Sequence, residues 1–267
     1  MMDPRPVTIC VLTYGDYPHL ARRTLESIRF HCARSAYRLV VGANAVGRET
    51  EVYLRDLQAE GAVDRLILSR TNLNKNPMMR RMFRHLEGEF VWWFDDDSYI
   101  TASDALPERL RRARVAPGRH VLWGHVFFAG DEGDFSSGTD VRRFVRRAPW
   151  FRGLEPPSWE PGGKGERNFE GKGTGDGRWF FVTGGCWFMR TSAIRALDWP
   201  DPALVKRADD VLLSEAVRQQ GWAFEDIGPA GVEINTEPRR GSGEDRATME
   251  RQMAGRRRDR ERSRVPR

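Results

Sequence analysis

Cysteine, lysine and long apolar runs are all scarce in this sequence of 267 residues. Three cysteines cannot build a disulfide framework, which excludes a small disulfide-stabilised secreted domain and predicts a reducing compartment. No apolar signal-peptide region is visible at the N-terminus, and the longest apolar stretches, such as residues 90–94, are far too short to cross a bilayer. We therefore expect a cytoplasmic protein without a transmembrane segment, or one of the host cytoplasm if a phage encodes it.

Several catalytic motifs are missing as well. The sequence has no P-loop, no CxxC, no HExxH and no Ser-His-Asp spacing, and no histidine follows His125. These absences exclude the enzyme classes that depend on those motifs. Carboxylates remain as the side chains with which this chain would bind a metal or move a proton.

Positive charge is distributed unevenly along the chain. The net charge of +6 comes from 44 basic and 38 acidic residues, and only four of the basic residues are lysines. Residues 239–267 contain 11 arginines against 5 acidic residues, whereas the preceding 238 residues contain 33 of each sign. We interpret residues 238–267 as a flexible arginine-rich tail that is disordered.

The pattern of apolar residues predicts an α/β fold. Continuous apolar runs, which are typical of strands buried on both faces of a sheet, occupy residues 7–12, 37–43, 65–68 and 90–94. Apolar residues at helical spacing separate these runs, and prolines at positions 18 and 77 suit helix starts. The sequence predicts one domain, residues 1–237, with a mostly parallel central sheet and helices on both faces.

The pattern is less regular beyond residue 97. It predicts helices over residues 104–114 and 210–220 and strands over residues 120–128 and 180–190. Residues 130–178 are rich in Gly, Pro, Trp and Arg and have little periodicity. A segment of this length and composition is typical of a functional lid or of disorder, so we predict a flexible loop here.

Three aspartates, Asp95, Asp96 and Asp97, directly follow the fourth predicted strand. Like charges this close together are costly unless a cation compensates them, and carboxylate oxygens suit Mg²⁺ or Mn²⁺. A solvated acidic turn that caps the next helix is the alternative. Ligands of such sheets bind where parallel strands end, so we expect further polar residues in the same crevice. These are Thr13, Tyr14, Asp16, Asn44 and Lys75.

Two later segments are further candidates. Asp209 and Asp210 begin a predicted helix, where acidic residues act either in chemistry or simply as favourable charges at the helix start. Gly184 and Gly185 interrupt an apolar strand, which indicates either a close ligand or a tight packing corner. Trp187 follows them and could stack on a sugar or a base.

Four segments in this order resemble family 2 glycosyltransferases of the GT-A fold, which is Rossmann-like, over residues 7 to about 235. The segments are VTICVLTYGDYPHLARRTLESI, NLNKNPMMRRMFRHLEGEFVWWFDDD, VTGGCWFMRTSAI and KRADDVLLSEAVRQQGW. The resemblance implies a nucleotide-binding half at residues 7–97 and an acceptor half at residues 98–237. It also implies an inverting, metal-dependent enzyme that moves a hexose-type sugar from a nucleotide sugar to an acceptor hydroxyl.

The resemblance implies roles for individual residues too. Asp210 would be the catalytic base, with Asp209 at the position usually held by Glu, and Asp97 would bind Mn²⁺ or Mg²⁺ together with Asp95. The nucleotide sugar would contact Thr13, Tyr14, Asp16, Asn44, Lys75, Asp95 and Asp96, and the acceptor would contact Gly184, Gly185, Trp187 and Asp209.

Two positions depart from the family pattern. Asn44 lies where the family commonly has an acidic residue that reads uracil, and an Asn side chain can donate as well as accept hydrogen bonds. A UDP-sugar is the donor that the resemblance favours, and this departure leaves the nucleotide open. The usual late histidine near the metal is missing, so either Glu233 or Asn235 replaces it or metal binding is weaker.

The acceptor is the least determined partner. Residues 142–152 interleave basic and aromatic side chains, a composition that suits a polyanion with stackable bases. They include Arg142, Arg143, Arg146, Arg147, Trp150, Phe151 and Arg152. Together with the tail they allow an acceptor on nucleic acid, such as a hydroxymethylated base in DNA. An amphipathic arginine helix and an interaction tail, without a role at the acceptor, are the interpretation that we favour. A saccharide, a small molecule and an anionic membrane surface are the alternatives.

Two other functions are compatible with parts of the sequence. A phosphotransferase of the haloacid dehalogenase type also has a DxD after a strand, but expects it near the N-terminus rather than after a fourth strand. A non-catalytic nucleotide- or sugar-binding module on the same scaffold is the second alternative, and the presence of Asp97 and Asp210 argues against it.

Overall fold

The computed structural model describes residues 5–129, 145–153, 179–204 and 209–234. The chain divides into a unit spanning Met1–Ile234 and a second unit, Asn235–Arg267, all of which lies outside the described residues. The predicted tail and most of the predicted loop at residues 130–178 therefore lie outside them too.

Nine strands and six helices are described in these ranges, with a 3₁₀ turn at Arg34–Ala36. The strands are β1 (Val7–Tyr14), β2 (Tyr37–Asn44), β3 (Arg65–Ser69), β4 (Phe90–Asp95), β5 (Tyr99–Ile100), β6 (His120–Ala129), β7 (Trp179–Arg190), β8 (Ala223–Asp226) and β9 (Val232–Glu233). The helices are α1 (Pro18–His31), α2 (Arg48–Ala59), α3 (Lys75–Phe83), α4 (Ala105–Val115), α5 (Thr191–Leu197) and α6 (Asp209–Gln219).

Seven of these strands form the central sheet, in the order β3-β2-β1-β4-β7-β6-β8. Every neighbouring pair is parallel except the two pairs that involve β7, so β7 alone runs against the rest. The mostly parallel sheet predicted from the apolar runs is therefore confirmed. β4, which carries the three aspartates at its end, lies in the middle of the sheet.

Apolar side chains cover the sheet on both faces, which explains why its strands are continuously apolar. Along β4, Trp93 lies in one core with α3, α5 and α6, and Trp92 and Phe94 lie in the other with α1, α2 and α4. The first core stacks Trp93 on Trp187 of β7, with ring centroids 5.9 Å apart. The helices thus hold the ends of the central strands in fixed positions from both sides.

Helix α3 begins at Lys75, two residues before the predicted proline start. Pro77 is tolerated there because the first N–H groups of a helix have no partner within it. α3 packs directly on β2 at Gly42, where a Cβ atom would come within 2.4 Å of the Met82 sulfur. This close approach places the first residue of α3 near the end of β4.

A second, two-stranded sheet pairs β5 with β9 and was not predicted. It places Glu233 opposite Tyr99, two residues after Asp97. The buried Arg109 of α4 supports it by donating to the Ala230 carbonyl at 2.8 Å. In the part of the chain that the structure describes, no helix has the length and apolar character needed to cross a membrane.

Candidate active site

The three aspartates lie at the carboxyl edge of the sheet, between β1 and β7. Asp95 is in register with Leu12 of β1, and Phe94 is in register with Cys186 of β7. The ends of β1 and β2 and the glycine segment of β7 therefore meet the end of β4 at one edge. This is the position at which ligands of open α/β sheets bind.

Asp95 is held by two donors. Lys75 Nζ lies 2.8 Å from Asp95 Oδ2, and the Trp93 indole donates to Asp95 Oδ1 at 3.2 Å. Lys75 also donates to the Gly184 carbonyl at 2.9 Å, so one ammonium group joins α3, β4 and β7. Because its ammonium group donates to both the Asp95 carboxylate and the Gly184 carbonyl, Lys75 fixes the relative positions of β4 and β7 at this edge. It also supplies a positive charge there.

Asp96 points the other way and is structural. It is 1% exposed, and its Oδ2 accepts the Tyr14 backbone N–H at 3.0 Å. Thr24 of α1 donates to the Asp96 carbonyl at 2.8 Å. Asp96 therefore anchors the end of β1, and in this structure it offers no exposed carboxylate to the nucleotide that the resemblance assigned to it.

Asp97 carries a carboxylate whose pKa is perturbed. Burial and, second, the neighbouring Asp95 charge raise its pKa from 3.8 to about 6, and Lys75 partly offsets the rise. A cation bound beside this carboxyl group would stabilise its charged form and so lower the raised pKa. The donor set of Asp95 and Asp97, two hard oxygen ligands, fits Mg²⁺ or Mn²⁺. Within the described residues no cluster of three metal-ligating side chains occurs.

Two of the side chains predicted to contact the nucleoside, those of Thr13 and Asn44, are buried. Thr13 is buried and donates to the Gly42 carbonyl at 3.2 Å. Asn44 is also buried, and its amide donates to Asn72 at 3.0 Å and accepts the Leu73 N–H at 2.8 Å. These two side chains brace the strand ends and the loop that leads into α3, and their direct contact with a base stays a prediction.

Asp16 is exposed at the start of the crevice, and Tyr14 is half-buried beside it. The Asp16 carboxylate packs against Gly47, where a Cβ atom would come within 2.0 Å of Asp16 Oδ1. Gly47 in turn donates its N–H to the Gly15 carbonyl at 3.3 Å. A side chain at position 47 would displace the carboxylate, so the glycine determines where Asp16 lies.

Asp210 lies in the first turn of α6, the helix that packs against β7. Its Oδ1 accepts the Val211 N–H at 2.8 Å, and its side chain is half-buried. Ser214 donates to the Asp210 carbonyl at 3.0 Å and accepts the Val182 N–H at 3.0 Å. The first turn of α6 is therefore tied to β7 two residues before Gly184. The side chain of Asp209 lies outside what the structure describes.

The comparison with protein families identifies the chain. The model of glycosyl transferase family 2 matches residues 8–198, most of the chain. The chain belongs to glycosyl transferase family 2. This confirms the resemblance drawn from the four segments, and it argues against the phosphotransferase alternative. No curated protein matches this family 2 chain.

Solved structures are similar to this chain at low sequence identity. A mannosyltransferase from Pyrobaculum calidifontis in complex with GDP-Man and Mn²⁺ shares 17% identity with a TM-score of 0.58, over 89% of this family 2 chain and 59% of its own. The likeness to the mannosyltransferase confirms the predicted GT-A fold. A crystal structure of S. aureus TarS 1-349 shares 13% identity with a TM-score of 0.49, over 79% and 55%. The chain spans less than two thirds of both neighbours.

The expected acceptor contacts of this family 2 chain are mostly buried. Gly184 and Gly185 lie within β7, and Trp187 is 2% exposed because its ring stacks on Trp93. We therefore leave Trp187 out of the proposed acceptor contacts. Gly124 of β6, which pairs with β7, has no room for a Cβ, which would lie 2.4 Å from Val182, so this glycine serves tight packing between the two strands.

The predicted basic and aromatic surface at residues 142–152 is only partly described. Arg146, Arg147 and Arg152 are exposed, whereas Trp150 is 3% exposed and packs in the core. A buried indole offers no face on which a base can stack. The expectation that Trp150 stacks on a base between the arginines is therefore wrong. Arg142 and Arg143 lie outside the described residues.

Two residues of the site were missed in the sequence. Trp93 holds Asp95, and Ser214 holds the start of α6. Trp93 could have been found, because residues two apart in a strand point to the same side. Ser214 could not, since its two partners lie on different elements and no local pattern marks such a contact.

Proposed function

We propose that this protein is an inverting glycosyltransferase that uses a nucleotide-sugar donor and a divalent cation. One observation carries the proposal: Asp97, with a raised carboxyl pKa, lies beside Asp95 and Lys75 at the carboxyl edge of the sheet. A carboxylate whose charge is disfavoured in the isolated protein is well suited to bind a cation that arrives with a diphosphate.

The residues divide the work between donor and acceptor. Asp95 and Asp97 would hold Mn²⁺ or Mg²⁺, which, when bound, neutralises charge on the departing diphosphate. Lys75 presents its ammonium group at the same edge and helps to hold the phosphates. Tyr14 and the exposed Asp16 flank the crevice on the nucleoside side.

Asp210 is the proposed general base. It would take the proton from the acceptor hydroxyl as that oxygen attacks C1 of the sugar. The bond between C1 and the diphosphate oxygen breaks as the new bond forms, and the nucleoside diphosphate leaves with the electron pair. Attack from the opposite face inverts the anomeric centre. The contact between Ser214 and Val182 keeps this base beside the glycine segment of β7.

Replacing Asp210 with Asn tests this assignment. Turnover is measured with the sugar derivative of whichever nucleotide raises the melting temperature of wild type. It should fall by at least about 100-fold, because the base is lost, while nucleotide binding survives. Binding is measured as the rise in melting temperature with UDP, GDP, TDP or CDP, each with Mn²⁺ or with chelator. Asp56→Asn, on the exposed side of α2, is the control and should leave both unchanged.

The outcomes separate the alternatives. Turnover that persists in Asp210→Asn would contradict the base assignment. A wild-type protein that binds one nucleotide with metal but transfers no sugar would be the non-catalytic binding module. A wild-type protein with no nucleotide response would contradict Asp95 and Asp97 as the donor site.

The acceptor is not assigned by these residues. A hydroxymethylated base in DNA stays a prediction that depends on the arginines and on the half-buried Phe151, since Trp150 is buried. A saccharide or a small molecule fits the same chemistry, which requires only a hydroxyl group within reach of Asp210.

A further inference from the structure

A cleft of about 150 Å³ lies beside α3 and is separate from the donor edge. Residues of α3 and its C-terminal cap form one wall, and the segment after α5 forms the other. The residues that matter here are Asn76, Arg80, Arg81, Arg84 and Asp201. None of them has a part in the sugar transfer proposed above.

The inner wall holds a buried amide without a partner. Asn76 is 1% exposed, and neither its Nδ2 nor its Oδ1 makes a hydrogen bond within the described part of the chain. Buried polar groups in native proteins are nearly always paired, so an exception needs an explanation. Asn76 borders the cleft and its amide atoms are screened from solvent, so a small shift of the side chain would let a polar ligand in the cleft supply the missing partner.

The mouth of the cleft is positively charged. Arg81 and Arg84 are exposed, lie three residues apart on one helix face, and form no ion pair with any residue that the structure describes. Arg80 is already used: it donates to the Asp198 and Pro200 carbonyls and to the Asp198 carboxylate at 2.7 to 3.0 Å. Two guanidinium groups are therefore available, and the third fixes the opposite wall.

One carboxylate also lines the cleft. Asp201 is buried, and its Oδ1 accepts the Ala203 N–H at 2.8 Å. The second oxygen of this carboxylate would repel a bare anion but would accept a hydrogen bond from a hydroxyl group. The cleft therefore combines guanidinium donors at its mouth with an amide and a carboxylate inside.

We propose that this cleft binds a phosphate monoester carried by a hydroxyl-bearing molecule. Arg81 and Arg84 would take the phosphate oxygens, because guanidinium groups match phosphate geometry with paired donors. Asn76 and Asp201 would bind the hydroxyl groups. The site does not depend on the donor, the cation or turnover.

The test uses the full chain with glycerol 3-phosphate, inorganic phosphate and glycerol as probes at constant ionic strength. Binding is followed by calorimetry and by melting temperature. Glycerol 3-phosphate should bind saturably and more tightly than phosphate, and glycerol alone should not bind. The double variant Arg81→Gln/Arg84→Gln should weaken binding at least tenfold and keep its response to nucleotide. Arg111→Gln/Arg114→Gln, on the exposed face of α4, is the matched control and should bind as wild type does.

Asn76→Ala provides a second measurement. It removes an amide that has no partner within the described residues, so the melting temperature should stay level or rise while binding of glycerol 3-phosphate weakens. A fall in melting temperature with unchanged binding would mean that Asn76 is only structural and would overturn the proposal. Absence of binding to wild type, or equal binding to the double arginine variant, would overturn it as well.

Discussion

Asp95, Asp96 and Asp97 are the same type of residue, but their carboxylates have different partners and different charge environments. Asp95 is compensated by Lys75, Asp96 is a buried acceptor for the Tyr14 N–H, and Asp97 keeps a raised carboxyl pKa. The sequence predicted an acidic site here but not this division. Asp96 and Asp97 lie in a turn after β4, in which the Ser98 N–H donates to the Asp95 carbonyl at 3.0 Å, so the alternation of side chains along a strand does not distinguish the three.

Asp97→Asn tests the electrostatic argument at this scale. Between pH 3.8 and about 6 the native carboxyl binds its proton more tightly than the unfolded chain does, so stability falls as pH rises through that window. Without metal, Asp97→Asn should therefore be more stable than wild type at pH 7.5, by about 1–3 kcal/mol. The advantage should vanish below about pH 4, and the variant should lose the metal-dependent nucleotide response.

The measurement is a series of melting temperatures between pH 4 and pH 8 in the presence of chelator. Asp104→Asn, at the exposed start of α4, is the control and should follow wild type. Equal stabilities of Asp97→Asn and wild type across the whole range would show that Asp97 carries no electrostatic cost.

Buried partners limited what could be predicted for single residues. Asn44 and Trp187 have side chains of the types that bind nucleosides and sugars, yet Asn44 braces a loop and Trp187 packs in the core. Residue type and spacing do not report which neighbours a side chain meets after folding. Those neighbours come from segments about 30 to 95 positions away along the chain.

At the scale of elements, long apolar strands and amphipathic helices were predictable. The strands of the first half and helices α4 and α6 lie within a few residues of the expected bounds, and α1 begins at the expected proline. The pair β5 and β9 was missed because two residues per strand leave no periodic pattern to detect. β5 begins two residues after Asp97, and its pairing with β9 brings Glu233 opposite Tyr99.

Gly42→Ala tests the contact between α3 and β2. The new methyl group would lie 2.4 Å from the Met82 sulfur, so α3 must move or Met82 must repack. We expect a loss of about 1–3 kcal/mol in stability and weaker nucleotide binding, since Lys75 moves with the helix.

The readouts are chemical denaturation and the nucleotide-induced melting shift. Gly118→Ala is the matched control, because a Cβ at that position has nothing within 4 Å. Unchanged stability of Gly42→Ala would mean that the sulfur moves aside without cost and that α3 is not positioned by this glycine.

At the scale of the whole molecule, the excess positive charge lies in residues 239–267, and this leads to a testable prediction. Deleting residues 239–267 removes a net charge of +6 and leaves a chain with equal numbers of acidic and basic residues. If the tail binds DNA, the deletion should lower the affinity and flatten its dependence on salt concentration, because fewer counterions are released. Fluorescence anisotropy across a salt series measures both quantities.

Two results of that experiment would contradict DNA binding by the tail. Wild type that fails to bind DNA at low salt would remove DNA from the acceptors. An unchanged salt slope after deletion would assign binding to the folded unit instead of the tail. The nucleotide response of the donor edge should persist in either case, because Asp95 and Asp97 lie outside the deleted residues.

The order of strands in the central sheet has a consequence for synthesis on the ribosome. β7 separates β4 from β6, so the apolar edge of β4 cannot obtain its native partner until residue 190 has been made. About 95 residues follow β4 before that point, which at about 5–20 residues per second amounts to about 5–20 s. Throughout that interval a nascent chain leaves this edge of β4 unpaired and leaves Trp93 without the Trp187 ring on which it stacks in the folded protein, the kind of surface that chaperones bind and that promotes aggregation.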